Sequence, residues 1–130
     1  MPPFDWLDYL ELAKHLSKSD KEAALRSAIS RAYYAAFNQV RAYCVSKGMY
    51  LPRTTDSHQV VWDKFKEGRT LRGVYINGDL LKQQRVHADY KNEPIERLED
   101  TVAQAIRYAE LVLHFLDQLA TPPPAPPTTH

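Results

Sequence analysis

The segment EAALRSAISRAYYAAFNQVRAYCV, residues 22–45, contains no Pro and no Gly. Ala, Leu, Arg and Gln dominate it, and all four lose little on entering a helix. At about 100° per residue, Leu25, Ile29, Ala32, Ala36, Val40 and Tyr43 fall on one face, which predicts a core stripe. Ala24, Ala28, Ala35 and Ala42 lie to one side and would let a second helix approach closely. The opposite face carries Ser27, Ser30, Arg31, Tyr34, Asn38 and Arg41, with no acid. A solvated face usually mixes Lys and Glu in pairs. This one offers donors to a carboxylate, a phosphate or a backbone. It is read either as a polar seam against a neighbouring helix or as a cleft wall for an anionic ligand such as RNA.

Outward from this helix, Asp5 is placed to cap a first helix running to about Ser17, with Trp6, Leu7, Leu10, Ala13 and Leu16 as its stripe and His15 at the surface. Ser19 or Asp20 caps the main helix, and Gly48 ends it. A loop, MYLPRTTD, leads to a short helix capped by Asp56 or Ser57, whose apolar set is Val60, Val61, Trp62 and Phe65. Residues 68–78 are expected to form a loop, because Asn77-Gly78 is a turn signal. Asp79 then caps a segment that buries Leu80, Leu81 and Ala88 and runs to the break at Asn92. The last helix, Pro94 to about Leu119, has the clearest period, from Ile95 through Leu116. The tail TPPPAPPTTH cannot be helical. It is read as an extended, mobile appendage, residues 121–130, to a single helical domain, residues 1–120.

Two long helices and two or three shorter ones predict an all-α protein, an antiparallel up-and-down bundle of four to five helices. Seventeen Lys and Arg against 16 Asp and Glu exclude a global electrostatic pull on nucleic acid, so any such contact must be local. Cys44 is the only cysteine, which excludes an internal disulfide and a Cys-based zinc site. It is expected to be buried as a small hydrophobe. The N-terminus carries acids where a secretory leader carries bases. No run approaches the ~18 apolar residues that span a bilayer. A cytoplasmic protein with no membrane contact, no metal and no cofactor is expected. No phosphate-cradling Gly loop and no nucleophile elbow is present.

Arg85-Val-His-Ala-Asp-Tyr90 is the densest polar group in the chain. Arg85 and Asp89 are spaced to pair on one helical face. His87 is of the residue type that most often carries protons in catalysis. Together with Arg31-Ala-Tyr-Tyr-Ala-Ala-Phe37, preceded by Ser27 and Ser30, this group resembles a HEPN domain (higher eukaryotes and prokaryotes nucleotide-binding). His58, in Ser-His-Gln-Val-Val, is similar to a His that recurs in one branch of that family.

The resemblance implies a helical bundle that dimerises. In active members it implies a cleft between two chains that cuts RNA without metal, using an Arg and a following His. The Arg holds the phosphate and the His moves the proton. Many such proteins are toxins or defence effectors paired with a nucleotidyltransferase antitoxin. Here Tyr90 stands where the spacing places the His, and a Tyr, with a pKa of about 10, is a poor base at neutral pH. Arg85 is therefore carried as the candidate catalytic Arg, with His87 or His58 as proton carrier. Arg53 with His58, and Arg107 with His114, also satisfy the spacing by count. Arg31, Tyr34, Asn38, Asp89 and Tyr90 are the candidate ligand-binding residues.

With Tyr90 in the place of the His, the favoured reading of this resemblance is a dimeric HEPN module that binds RNA or nucleotide, in a toxin–antitoxin or defence system with a nucleotidyltransferase partner. The alternative is a metal-independent endoribonuclease. A third reading makes Arg31, Arg85 and Asp89 a buried ion-pair network that fixes the bundle.

Overall fold

The computed structural model describes residues 2–52 and 57–120, with Ser57 and Thr70 described by backbone alone. The Pro-rich tail, Arg53 and Asp56 lie outside these residues. Five helices follow in order: α1 Leu7–Leu16, α2 Glu22–Ser46, α3 Ser57–Asp63, α4 Arg69–Tyr90 and α5 Leu98–Ala120. There is no strand among the described residues. The chain is all-α, as the periodicity predicts.

Side-chain pairs give the helix directions. Between α4 and α5, Gly73 meets Phe115, and the Gln84 amide donates to Gln104 at 3.3 Å, so the two run antiparallel. Between α2 and α4, Ser30 meets Asp89 and Tyr34 meets Arg85, again antiparallel. At one end Lys14 of α1 reaches Glu110 of α5 at 3.6 Å, and at the other Leu7 lines a groove with Leu116 and Ala120. The result is an up-and-down bundle in which α2 packs against α1, α4 and α5 together.

That central position explains the burial of α2. Leu25, Ile29, Ala32, Ala36 and Val40 form the expected stripe, and Tyr43 is half-buried. Tyr33, Phe37 and Ser30 are buried as well, so the core wraps well beyond one face. Cys44 is fully buried. The helix ends in a Schellman motif: the Met49 amide donates to Cys44 O and the Gly48 amide to Val45 O, both at 3.0 Å, with Gly48 at φ +72°. Asp5 Oδ1 accepts from the Leu7 amide at 3.0 Å at the start of α1, one residue ahead of the N-cap position, which Trp6 holds. Neither Ser19 nor Asp20 caps α2 itself, because Ser19 accepts from Lys21, one residue short of the helix.

Three expectations are corrected. Residues 69–78 are helix, so α4 is a third long helix, with 22 residues, and Asp79 sits inside it rather than at its start. Asn77 does not turn the chain; its amide donates back to Gly73 O at 2.8 Å. Gly78 is needed for contact: a Cβ there would lie 2.3 Å from the Trp62 ring. The last helix starts at Leu98 rather than Pro94, because Arg97 takes φ +49° and breaks the backbone. Leu7 and Leu80, expected in the core, are 39% exposed.

Candidate functional site

Three helices converge on one aromatic and cationic cluster. α2 contributes Tyr33, Tyr34 and Phe37, which lie on adjacent turns. α3 contributes His58 and Trp62, also one turn apart. α4 contributes Lys82, Arg85, Asp89 and Tyr90. Gly78 admits Trp62 against α4, and Trp62 carries α3, and so His58, onto α2.

Tyr33 is the hub. Its phenol is fully buried, accepts from the Trp62 indole N–H at 3.0 Å and lies 2.8 Å from His58 Nδ1. An indole can only donate, so the phenol proton is left for the imidazole. Burial pushes the Tyr33 hydroxyl up to about 12, which keeps that proton in place. The His58 ring stacks flat on Phe37, with centroids 4.1 Å apart. Its pKa is lowered, first by burial and then by the charges of Arg85, Lys82 and Arg41. His58 is therefore neutral at pH 7, with Nδ1 as an acceptor. Lys82 is held on α3 by the Gln59 carbonyl.

Arg85 has a buried guanidinium, only 6% of the residue being exposed. It lies 4.8 Å from the Tyr33 ring and 5.4 Å from those of Tyr34 and Tyr90. Its polar contacts are long: 3.4 Å to the Tyr34 hydroxyl, 3.3 Å to the Tyr90 hydroxyl and 3.9 Å to Asp89. Nε is buried and has no hydrogen-bond partner among the described residues. Asp89 Oδ2 also accepts from Ser30 at 3.1 Å. Tyr90 closes the cluster with an exposed ring. Most of the arginine's charge is thus met by π-faces, and its five donors are weakly used.

Not every expected residue joins this cluster. His87 lies on the other side of α4, with Nε2 3.1 Å from Glu93 O. Arg31 lies 4.7 Å above the Tyr9 ring on α1, so the expected Arg31–Arg85–Asp89 network does not form. Asn38 donates to Tyr34 O within its own helix at 2.8 Å. His114 is exposed and pairs with Gln118 on α5. Arg53 lies outside the described residues. Among the described residues no group of three or more His, Cys, Asp or Glu is placed to hold a metal ion. None of their helices is long and apolar enough to cross a membrane.

Sequence reasoning quoted Tyr33 and Phe37 only within a motif and placed Trp62 only in a core. It missed Arg26 altogether. That guanidinium binds the carbonyls of Ala88 at 3.1 Å, Lys91 at 2.7 Å and Glu93 at 2.8 Å. It satisfies the C-terminal carbonyls of α4 and complements the helix dipole there. In doing so it fixes the turn that carries Asp89 and Tyr90.

A family model described as the HEPN domain matches residues 7–119, which is most of the chain. The chain belongs to the HEPN family. At family level this makes it a nucleotide- or RNA-related module. Neither the curated proteins nor the solved structures give a match. The matched span of the HEPN domain contains every member of the cluster, from Tyr33 to Tyr90.

The half-buried, neutral His58 predicts a pH dependence for this HEPN domain. Its folded pKa lies below the ordinary 6.5. The unfolded chain therefore binds the proton more readily, and stability falls as pH drops below 6.5. The loss levels off once the folded pKa is passed. Thermal unfolding measured from pH 8 to 5 should show this decline, and a His58→Gln variant should flatten it. An identical slope in the variant would assign the dependence to other groups.

Proposed function

We propose that this HEPN domain is a dimeric binding module for RNA or nucleotide, working with a nucleotidyltransferase antitoxin in a toxin–antitoxin or defence system. The observation that carries it is the state of Arg85: buried among three tyrosines, long in every polar contact, and unpartnered at Nε. A phosphate oxygen is a better acceptor for a guanidinium than a phenol at 3.3–3.4 Å. The exposed Tyr90 beside it supplies a face on which a base can stack. Asp89, held by Ser30, faces the same Nη1 of Arg85 that the Tyr34 and Tyr90 hydroxyls approach. A second copy covering Tyr90 would shield the cluster from water and strengthen it. Residues 1–120 act as the binding unit, with 121–130 as an appendage.

A second reading, the metal-independent endoribonuclease, is favoured by one observation. His58 shares the Tyr33 ring with Arg85 and is neutral, as a general base must be. In that case His58, not His87, moves the proton.

Fluorescence anisotropy with labelled single-stranded RNAs and nucleotides, in EDTA, tests both readings. Binding that weakens with salt and leaves the RNA intact is expected. Lack of binding across the panel would overturn the module. Shortened RNA in EDTA, lost in His58→Gln and kept in His87→Gln, would establish the nuclease instead. Light scattering should report two chains per particle.

A further inference from the structure

Helix α1 is short for the bundle it joins, with 10 residues against 25 in α2 and 23 in α5. It covers the seam between those two helices only as far as Leu7. Beyond Leu7 the last two turns of α2 and α5 enclose a groove of about 560 Å³. Leu116 is its buried floor, and Leu7, Ala42, Leu113 and Ala120 are apolar walls. Tyr43 adds an aromatic face, backed by the Phe65 ring with centroids 6.1 Å apart. The exposed Val45, one turn beyond Ala42, continues the apolar surface past the rim.

The polar part of the lining is slight. Ser46 is turned to its own helix and donates to Tyr43 O at 2.6 Å. Asp117 stands exposed on the rim of α5. Gln39 brings an amide to the wall. The residues ahead of α1 do not fill the gap. The Phe4 ring packs on Trp6 and Tyr9, at 5.0 and 5.2 Å between centroids. Tyr9 is about 200° around α1 from Leu7, so that packing lies on the far side of the helix.

We propose that residues 121–127 of the same chain fold back from Ala120 and occupy this groove as a polyproline II segment. Three observations select that occupant. Ala120 is itself a wall of the groove, and TPPPAPPTTH follows it directly. Pro122 disfavours a helical Thr121, so the chain leaves the line of α5 at the groove. The dimensions agree as well. Gln39 to Ser46 spans about 10 Å of helix, which roughly three or four residues of polyproline II fill at about 3.1 Å each. Such a span is short for a partner helix. The chemistry also matches. Residues 121–129 carry no charged side chain, and at three residues per turn Pro123 with Pro126, and Pro124 with Pro127, form two apolar edges. Proline-rich segments dock in grooves lined by aromatic rings. Their carbonyls are free to accept, and the Gln39 amide and the Tyr43 hydroxyl are donors at the walls. The tether places the segment at an effective concentration on the order of millimolar, ahead of a tail from a second copy. This site is remote from the Arg85 cluster and does not depend on RNA binding there.

The full chain, labelled at proline and tyrosine, tests this by NMR. Cross-peaks between tail proline δ protons and the Tyr43 ring are expected. An Ala42→Arg substitution places a long cation in the groove from an exposed position, so the fold survives and the cross-peaks should be lost. Cross-peaks unchanged in Ala42→Arg would put the tail elsewhere and overturn the assignment, as would their absence from the wild type. A mixture of proline-labelled chains with tyrosine-labelled chains reports contacts between copies alone. It should be silent; cross-peaks there would give the groove to a second copy's tail and overturn the assignment to the chain's own.

Discussion

Replacing Arg85 by Met should leave the bundle folded yet weaken binding of single-stranded RNA by about thirtyfold or more. The two halves of this expectation come from different physics. Met fills most of the volume that the arginine stem occupies among Tyr33, Tyr34 and Tyr90. Exchanging a buried ion for an apolar side chain of similar size is often neutral for stability, or favourable. Here the exchange also removes a buried Nε that has no partner. Asp89, whose side chain is 26% exposed, keeps its bond to Ser30 at 3.1 Å and some access to water. Against this stands the loss of three cation–π contacts, each about 0.5–2 kcal/mol, the larger value applying to the buried Tyr33 face.

Binding has no such compensation. Removing a desolvated cation from a charge pair costs about 2–5 kcal/mol, or roughly thirtyfold upward. Thermal unfolding and RNA anisotropy on the same preparation check both halves. A folded Arg85→Met protein that binds RNA normally would end the role proposed for Arg85. A collapse in melting temperature with no defect in binding would make the residue a structural ion, as the third sequence reading held. The variant carries a further signature at His58. With the Arg85 charge gone its pKa should rise, yet stay below 6.5, because burial is the larger cause of the depression.

Replacing Gly78 by Ala should destabilise the protein by about 2–3 kcal/mol, although helix propensity alone predicts a gain of about 1 kcal/mol. The added Cβ would fall 2.3 Å from the Trp62 ring. Trp62 is wholly buried, and its indole N–H is bonded to Tyr33, so the ring cannot swing aside without breaking that bond. A drop in melting temperature of about 6–15 °C follows for a domain of this size. Adding Trp62→Leu should recover part of the Gly78→Ala loss, since the two changes act on one contact. A rise in melting temperature for Gly78→Ala would show that propensity outweighs packing here, and that α3 is not wedged against α4. Gly73 makes a similar approach to Phe115, but that ring is only half-buried and has room to give.

The cluster shows why part of the candidate site was legible and part was not. Arg85 and Asp89 were placed together correctly because one turn of helix separates them, which sequence spacing reports directly. Tyr34 and Tyr90 were named from motifs, and both hydroxyls do approach Arg85. His87 was named because it is two residues from Arg85, but two residues on a helix point apart. His58, 27 residues upstream, comes closer by virtue of Trp62 and Tyr33. Tyr33 itself was passed over, because within α2 it looks like one more aromatic residue beside the core stripe.

The sequence by itself determined what depends on neighbours along the chain. The helical periods of α1, α2 and α5, the end of α2 at Gly48, the burial of Cys44 and the HEPN motifs all rest on local spacing and backbone preference. Tertiary structure alone decided what depends on groups far apart in the chain. Asn77-Gly78 suits a turn or a close-packed helix equally well, and the approach of Trp62 selected the helix. Likewise His58 is an ordinary imidazole in sequence. It becomes neutral and fixed only when α3 docks, burying it against Phe37 under the charges of Arg85 and Lys82. Spacing reports angles on one helix, whereas burial and charge proximity exist only once three helices have met.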